Sequence, residues 1–177
     1  KRAFRFKVQF GQSGLLWYAK TAQRPTLSFS EATHSYLNHT YYWPGRAEWS
    51  EVSISFIDPV DPDLSGGLIK ALSDAGYRIP GGTDTSDLTS ISKASATQSL
   101  GDSGDSNDIQ CFMIDEEGNE LESWTLKHAW IKSVDFSDLD YSSDEMSEVT
   151  VNFRYDWAQY ETIRNGNDSD TFFAVGG

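Results

Sequence analysis

Apolar and polar residues alternate with a period of two through much of this 177-residue chain. That pattern predicts half-buried antiparallel strands. At the N-terminus Phe4, Phe6, Val8 and Phe10 take one side, and Arg5, Lys7 and Gln9 the other. Gly11, Gln12, Ser13 and Gly14 carry turn chemistry, so residues 15–22 are expected to pair back as a second arm. Residues 26–30 begin a third strand with Leu27 and Phe29 inward, and 51–57 form a further strand with Val52, Ile54 and Phe56 on the core face. Residues 109–114 and 120–126 read as a hairpin turning at Gly118-Asn119. Further on, Trp124, Leu126, Trp130, Val134 and Phe136 share one parity, with His128 and Lys132 on the same side. Beyond an acidic connection, Val149, Val151, Phe153, Tyr155 and Trp157 share one parity, and Thr150, Asn152, Arg154 and Asp156 take the other.

Three segments depart from this rhythm. Leu64, Leu68, Ala71, Leu72 and Ala75 recur at helical spacing. Asp61 is the expected N-cap, Pro62 the first helical residue and Gly76 the left-handed stop. Residues 32–49 are polar and aromatic, carrying His34, Tyr36, His39, Tyr41, Tyr42, Trp43 and Trp49. They predict an extended hairpin that partly projects from the domain, with Pro44-Gly45 as a turn. Residues 79–108 form a long polar loop whose apolar islands are Leu88, Ile91 and Leu100, with a short helical turn expected near 88–96. The stretch 161–177 reads as a C-terminal tail, polar until Phe172-Phe173. The whole chain, 1–177, fits one domain with a sizeable core.

The net charge of −13 argues against a nucleic-acid groove, which needs Lys and Arg to neutralise phosphates. The charge is uneven. Residues 1–50 hold seven Lys/Arg and two Asp/Glu, a net of +5, and the remainder carries −18. Such poles favour head-to-tail contact between copies. The single cysteine, Cys111, cannot form an internal disulfide and fits a reducing compartment. No apolar run is long enough to cross a membrane as a helix.

Catalytic and metal chemistry find little support. Acidic clusters lie at 58–63, 102–108, 115–122 and 135–148; Asp105-Ser106-Asn107-Asp108 lacks the glycine and distal Glu of a calcium loop, and the clusters read as solvated acidic loops. Glu120 and Glu122 share a strand face but show no sign of the cleft a glycosidase pair requires. His34, His39 and His128 have no metal-ligand spacing. Cys111 has no local nucleophile signature, and no strand leads into a phosphate loop. No enzyme activity and no cofactor are expected. The aromatic set Tyr41, Tyr42, Trp43 and Trp49 fits a protein interface, the domain's own core, or stacking on sugars.

The stretch 120–160 resembles the C-terminal strands of tail tube proteins of contractile-tailed bacteriophages, which are related to type VI secretion tubes. The residues that carry the resemblance are Ala129-Trp130, the run from Val134 to Glu145, and the closing strand at 149–160; it extends to the N-terminal strands and to Tyr41–Trp49. It implies an all-β fold, a sandwich or distorted barrel of two antiparallel sheets with one flanking helix and a projecting hairpin. It implies homohexameric rings that stack into the inner tube of a phage tail, assembled in the host cytoplasm and carried in the virion. Expected partners are other copies, the sheath, the tape-measure protein, and baseplate and terminator proteins, with DNA passing without specific binding and no membrane involved. Tyr41, Tyr42, Trp43, Pro44, Gly45 and Arg46 become inter-subunit contact candidates, and Glu120, Glu122, Asp135 and Asp138 lumen-facing acids. The alternatives are a tube-like baseplate or secretion-device protein, and a carbohydrate-binding sandwich using Tyr41, Tyr42 and Trp43.

Overall fold

The strand rhythm resolves into two antiparallel sheets facing each other across a shared core, plus a separate two-stranded arm. The computed structural model describes residues 1–10, 15–16, 18–61, 63–77, 91–98, 108–142, 144–164 and 168–174. The strands are β1 (Phe6–Phe10), β2 (Leu15–Leu16), β3 (Ala19–Ala22), β4 (Leu27–Tyr36), β5 (His39–Trp49), β6 (Val52–Ile57), β7 (Ile109–Ile114), β8 (Glu120–Lys127), β9 (Trp130–Phe136), β10 (Glu148–Arg154), β11 (Trp157–Arg164) and β12 (Asp168–Phe172). The helices are α1 (Leu64–Asp74) and α2 (Lys93–Gln98).

One sheet has six strands in the order β12-β11-β8-β7-β1-β2 and the other has four in the order β3-β6-β10-β9. Both orders are open, so the fold is a sandwich, all-β in class, with no closed barrel among the described residues. The core lies between the sheets. Val8, Ile109, Leu126 and Ala158 come from one face, and Val52, Ile54, Phe56, Val149, Val151 and Phe153 from the other. Val52, Ile54 and Phe56 alternate with Ser53, Ser55 and Ile57, and that alternation is what separates core from surface on β6.

The chain changes sheets in mid-pattern, and this corrects several sequence expectations. The second arm of the N-terminal hairpin is divided, β2 pairing with β1 in the large sheet and β3 with β6 in the small one. Between β8 and β9 the chain crosses at His128, whose φ of 54° makes the corner. Trp130 then lies opposite Arg154, away from the core, because Lys132 is an extra residue in the β9–β10 register. The bulge reverses parity, so Ile131 and Val134 face the core where Trp130 was expected. A second corner at Tyr155-Asp156 turns Trp157 outward and Ala158 inward. The expected C-terminal tail instead extends β11 and adds β12 as an edge strand.

Helix α1 starts two residues later than expected. Its N-cap is Asp63, whose carboxylate accepts from the Gly66 amide at 2.8 Å, in place of Asp61. Asp58 also supports the first turn, accepting from the Ser65 amide and hydroxyl. Leu64 and Leu68 anchor the helix in the core, and Gly76 at φ 103° closes it. A second short helix, α2, lies within the long polar region and touches β9. The expected turn at 11–14, Pro62, and most of the loop 79–108 lie outside the described residues.

Candidate functional site: an aromatic arm and a polar sheet face

Among the described residues, strands β4 and β5 pair only with each other, over Leu27↔Trp49 through Tyr36↔His39. The turn is Leu37-Asn38, with Leu37 at φ 54°, so Pro44-Gly45 is not the turn. These two residues sit inside β5, at a bulge where Gly45 and Arg46 lie opposite the single residue Ser30 of β4. There the Arg46 amide donates to Ser30 Oγ at 2.9 Å. A Cβ on Gly45 would lie 2.3 Å from that same Oγ and 2.8 Å from the Ser30 carbonyl oxygen. Glycine is therefore required for the two strands to approach.

The register sorts the arm's side chains onto two faces. Tyr36, His39, His34, Tyr41, Ala32 and Trp43 form one, and Thr33, Tyr42, Ser35 and Thr40 the other. Tyr41 and Trp43 thus share a face, with His39 edge-on to Tyr41 at 4.7 Å, and Tyr42 stands opposite. Both faces are open: Tyr41 is 49 % exposed, Tyr42 67 %, Trp43 62 % and Leu37 87 %. Trp49 belongs to the root of the arm, packed against Tyr155 and Phe173. The aromatic set divides accordingly, Trp49 rooting the arm and the other three lying on exposed surface. Tyr155 is buried there with an unpartnered hydroxyl, and burial pushes its pKa up to about 12.

The four candidate acids do not share one face. Glu120 and Glu122 belong to the six-stranded sheet, Asp135 to the outer face of the four-stranded sheet, and Asp138 to the exposed β9–β10 loop. Glu122 is a correction: it is buried, held by Lys1 and Arg24, and accepts from the Tyr160 hydroxyl at 3.1 Å. Burial pushes its pKa up, but the Lys1 ammonium, the Tyr160 hydroxyl and Arg24 together outweigh this and the net shift is downward. Glu120 pairs with Lys7 at 3.0 Å.

These contacts also revise the charge picture. Lys1, Arg5, Lys7, Lys20 and Arg24, five of the basic residues in the first fifty, each contact an acid of their own chain. The positive pole is largely neutralised inside the monomer.

The outer face of the four-stranded sheet is small and polar. Ser53 and Ser55 come from β6, Thr150 and Asn152 from β10, and Ser133 and Asp135 from β9. Ser55 and Thr150 share a hydrogen bond of 2.9 Å, and the Asn152 amide donates to Ser133 at 2.9 Å and to Asp135 at 3.2 Å. The charges at the margins of this face are matched, Lys20 with Glu148 and Lys132 with Glu51.

Among the described residues no group of three or more His, Cys, Asp and Glu could hold a metal, and no helix is long and apolar enough to cross a membrane. His128 is fixed by Asp156, which Lys93 of α2 also grips.

No protein-family model and no curated protein sequence match the chain. Solved structures do. A chain of the anti-feeding prophage tube-terminating cap matches with a TM-score of 0.65 at 16 % identity, covering 92 % of this chain and 91 % of that one. A chain of the sheath–tube complex of an extracellular contractile injection system, PVC, matches at TM-score 0.62 and 12 % identity, covering 92 % and 91 %. Hcp1 from Salmonella typhimurium matches at TM-score 0.53 and 11 % identity, covering 94 % and 90 %. The resemblance read from residues 120–160 therefore holds at the level of the whole fold, which this chain shares with Hcp1 and with chains of contractile injection assemblies.

Proposed function

We propose that the chain is a tube subunit of a contractile particle, a structural protein without catalytic activity, acting as one unit over residues 1–177. Six copies form a ring and rings stack through the β4–β5 arms. The observation that carries the reading is the four-stranded sheet. It has two edges, β3 and β9, and a face of short hydroxyl and amide side chains. Its strands alternate in direction, so β9 of one copy laid beside β3 of the next continues the antiparallel order. Closing the sheet this way removes both edges, which are otherwise sites of aggregation. A head-to-tail contact that closes is a ring.

In this arrangement the polar face lines the lumen, with Asp135 as its acid. A wall of matched charges and hydroxyls gives phosphates no counterion-releasing grip, and so suits passage of DNA in a phage tail. The likeness to a chain of an extracellular contractile injection system favours a second reading, the same tube in an injection or secretion device. Sheath, baseplate, terminator and tape-measure proteins are the proposed partners in either setting. Electron microscopy of the purified protein tests the reading: sixfold rings and stacks are expected, and monomers at high concentration would overturn it.

A further inference from the structure

A groove of about 310 Å³ runs beside the β3 edge, between the two sheets. Its floor is apolar, with Phe6, Ala22, Cys111, Met113 and Trp124, and Lys20 and Arg24 stand among its lining residues. On the opposite edge of the same small sheet, Phe136 ends β9. It is paired with Val149, a fully buried core residue, so it has core parity. Yet it is 50 % exposed, because among the described residues no strand lies beyond β9. One edge thus has a core-facing hollow and the other a core-facing aromatic ring that its own chain leaves half uncovered.

We propose that the groove beside β3 is the socket for Phe136 of a second copy, and that this contact joins neighbours within a ring. The inference rests on the ring reading above and names the surfaces that meet. Register supports it. Ala19 is level with Phe56, Phe56 with Val149, and Val149 with Phe136. A neighbour set edge to edge without slip brings its Phe136 beside Ala19 and Lys20, where the groove begins.

The test replaces Phe136 with p-benzoylphenylalanine, irradiates the assembled protein and maps the cross-links by mass spectrometry. Cross-links from 136 to Phe6, Met113, Trp124 or residues 20–24 of another copy are the expected result. Rings that form but cross-link elsewhere, or not at all, would overturn the socket and leave the ring reading standing. A protein that never forms rings, with or without the replacement, removes both. Phe136→Ala supplies an independent measure. Its monomer unfolding curve should match that of the parent, and the concentration for half-assembly should rise about tenfold or more. Unchanged assembly would count against the socket.

Discussion

Removing Tyr41 and Trp43 together, as Tyr41→Ala, Trp43→Ala, should abolish stacking while leaving the monomer folded. The two share one face of the arm, and neither belongs to the core cluster. Tyr41 is 49 % and Trp43 62 % exposed, so roughly half of each side chain remains to be covered. A buried aromatic covers about 150–250 Å², so about 100–140 Å² per residue is available to a neighbour. At about 25 cal/mol per Å² this is about 2.5–3.5 kcal/mol each. Ordering costs on association reduce it to about 2 kcal/mol each, or about 4 kcal/mol per arm. That is a loss of roughly a thousandfold in the stacking constant. Sedimentation and negative-stain imaging would show single rings where the parent shows stacks, and thermal unfolding of the monomer should be unchanged. Tyr42→Ala, on the opposite face, gives an internal comparison. If the double variant loses its cooperative thermal transition, the residues hold the fold together and the interface reasoning fails. If stacks persist undiminished, the aromatic face touches no neighbour.

Three other outcomes follow from the packing and the charges. Glu122→Gln should destabilise the monomer by about 1–2 kcal/mol at neutral pH, since a charged acceptor is lost while Lys1 and Arg24 remain partly solvated. The Glu122 pKa is lowered by folding, so its stabilisation is present above the ordinary carboxylate value and disappears as pH falls through the lowered folded value. Denaturant titrations from pH 7 downward should therefore show parent and variant converging in acid, and a gap independent of pH would contradict the assignment. Phe153→Ala, at a fully buried site between the sheets, should cost about 3–5 kcal/mol in the same assay, and a loss below about 1 kcal/mol would mean the core is misplaced. Asp135→Lys should leave ring formation nearly intact but retard DNA passage most at low salt, and transit equal to the parent at every salt concentration would remove Asp135 from the lumen wall.

The strands themselves were legible because each buries one face, and Val52-Ile54-Phe56 and Val149-Val151-Phe153 keep strict alternation in the structure. The points where the chain leaves one sheet for the other were not legible. At His128 and at Tyr155-Asp156 the alternation of residue types runs on while the backbone turns a corner, so Trp130 and Trp157 carried a parity that no longer applied. A bulge such as Lys132 adds one residue and leaves no compositional trace when its neighbours are amphipathic. The arm was recognisable from its polar, aromatic composition, but its turn was misassigned to Pro44-Gly45. Gly45 instead accommodates the close approach of Ser30, a long-range contact that no local signal encodes. The acids were visible as residues but not as a site, because Glu122 pairs with Lys1, 121 positions away in the sequence.

The proposal that this chain builds a tube is tested most directly by a cryo-electron microscopy reconstruction of the assembled protein. Sixfold rings are expected, with the four-stranded sheet turned to the lumen, Ser53, Ser55, Thr150 and Asn152 on its wall, and β9 of each copy beside β3 of the next. A monomer at every concentration, or a ring whose lumen is lined by the six-stranded sheet, would contradict it.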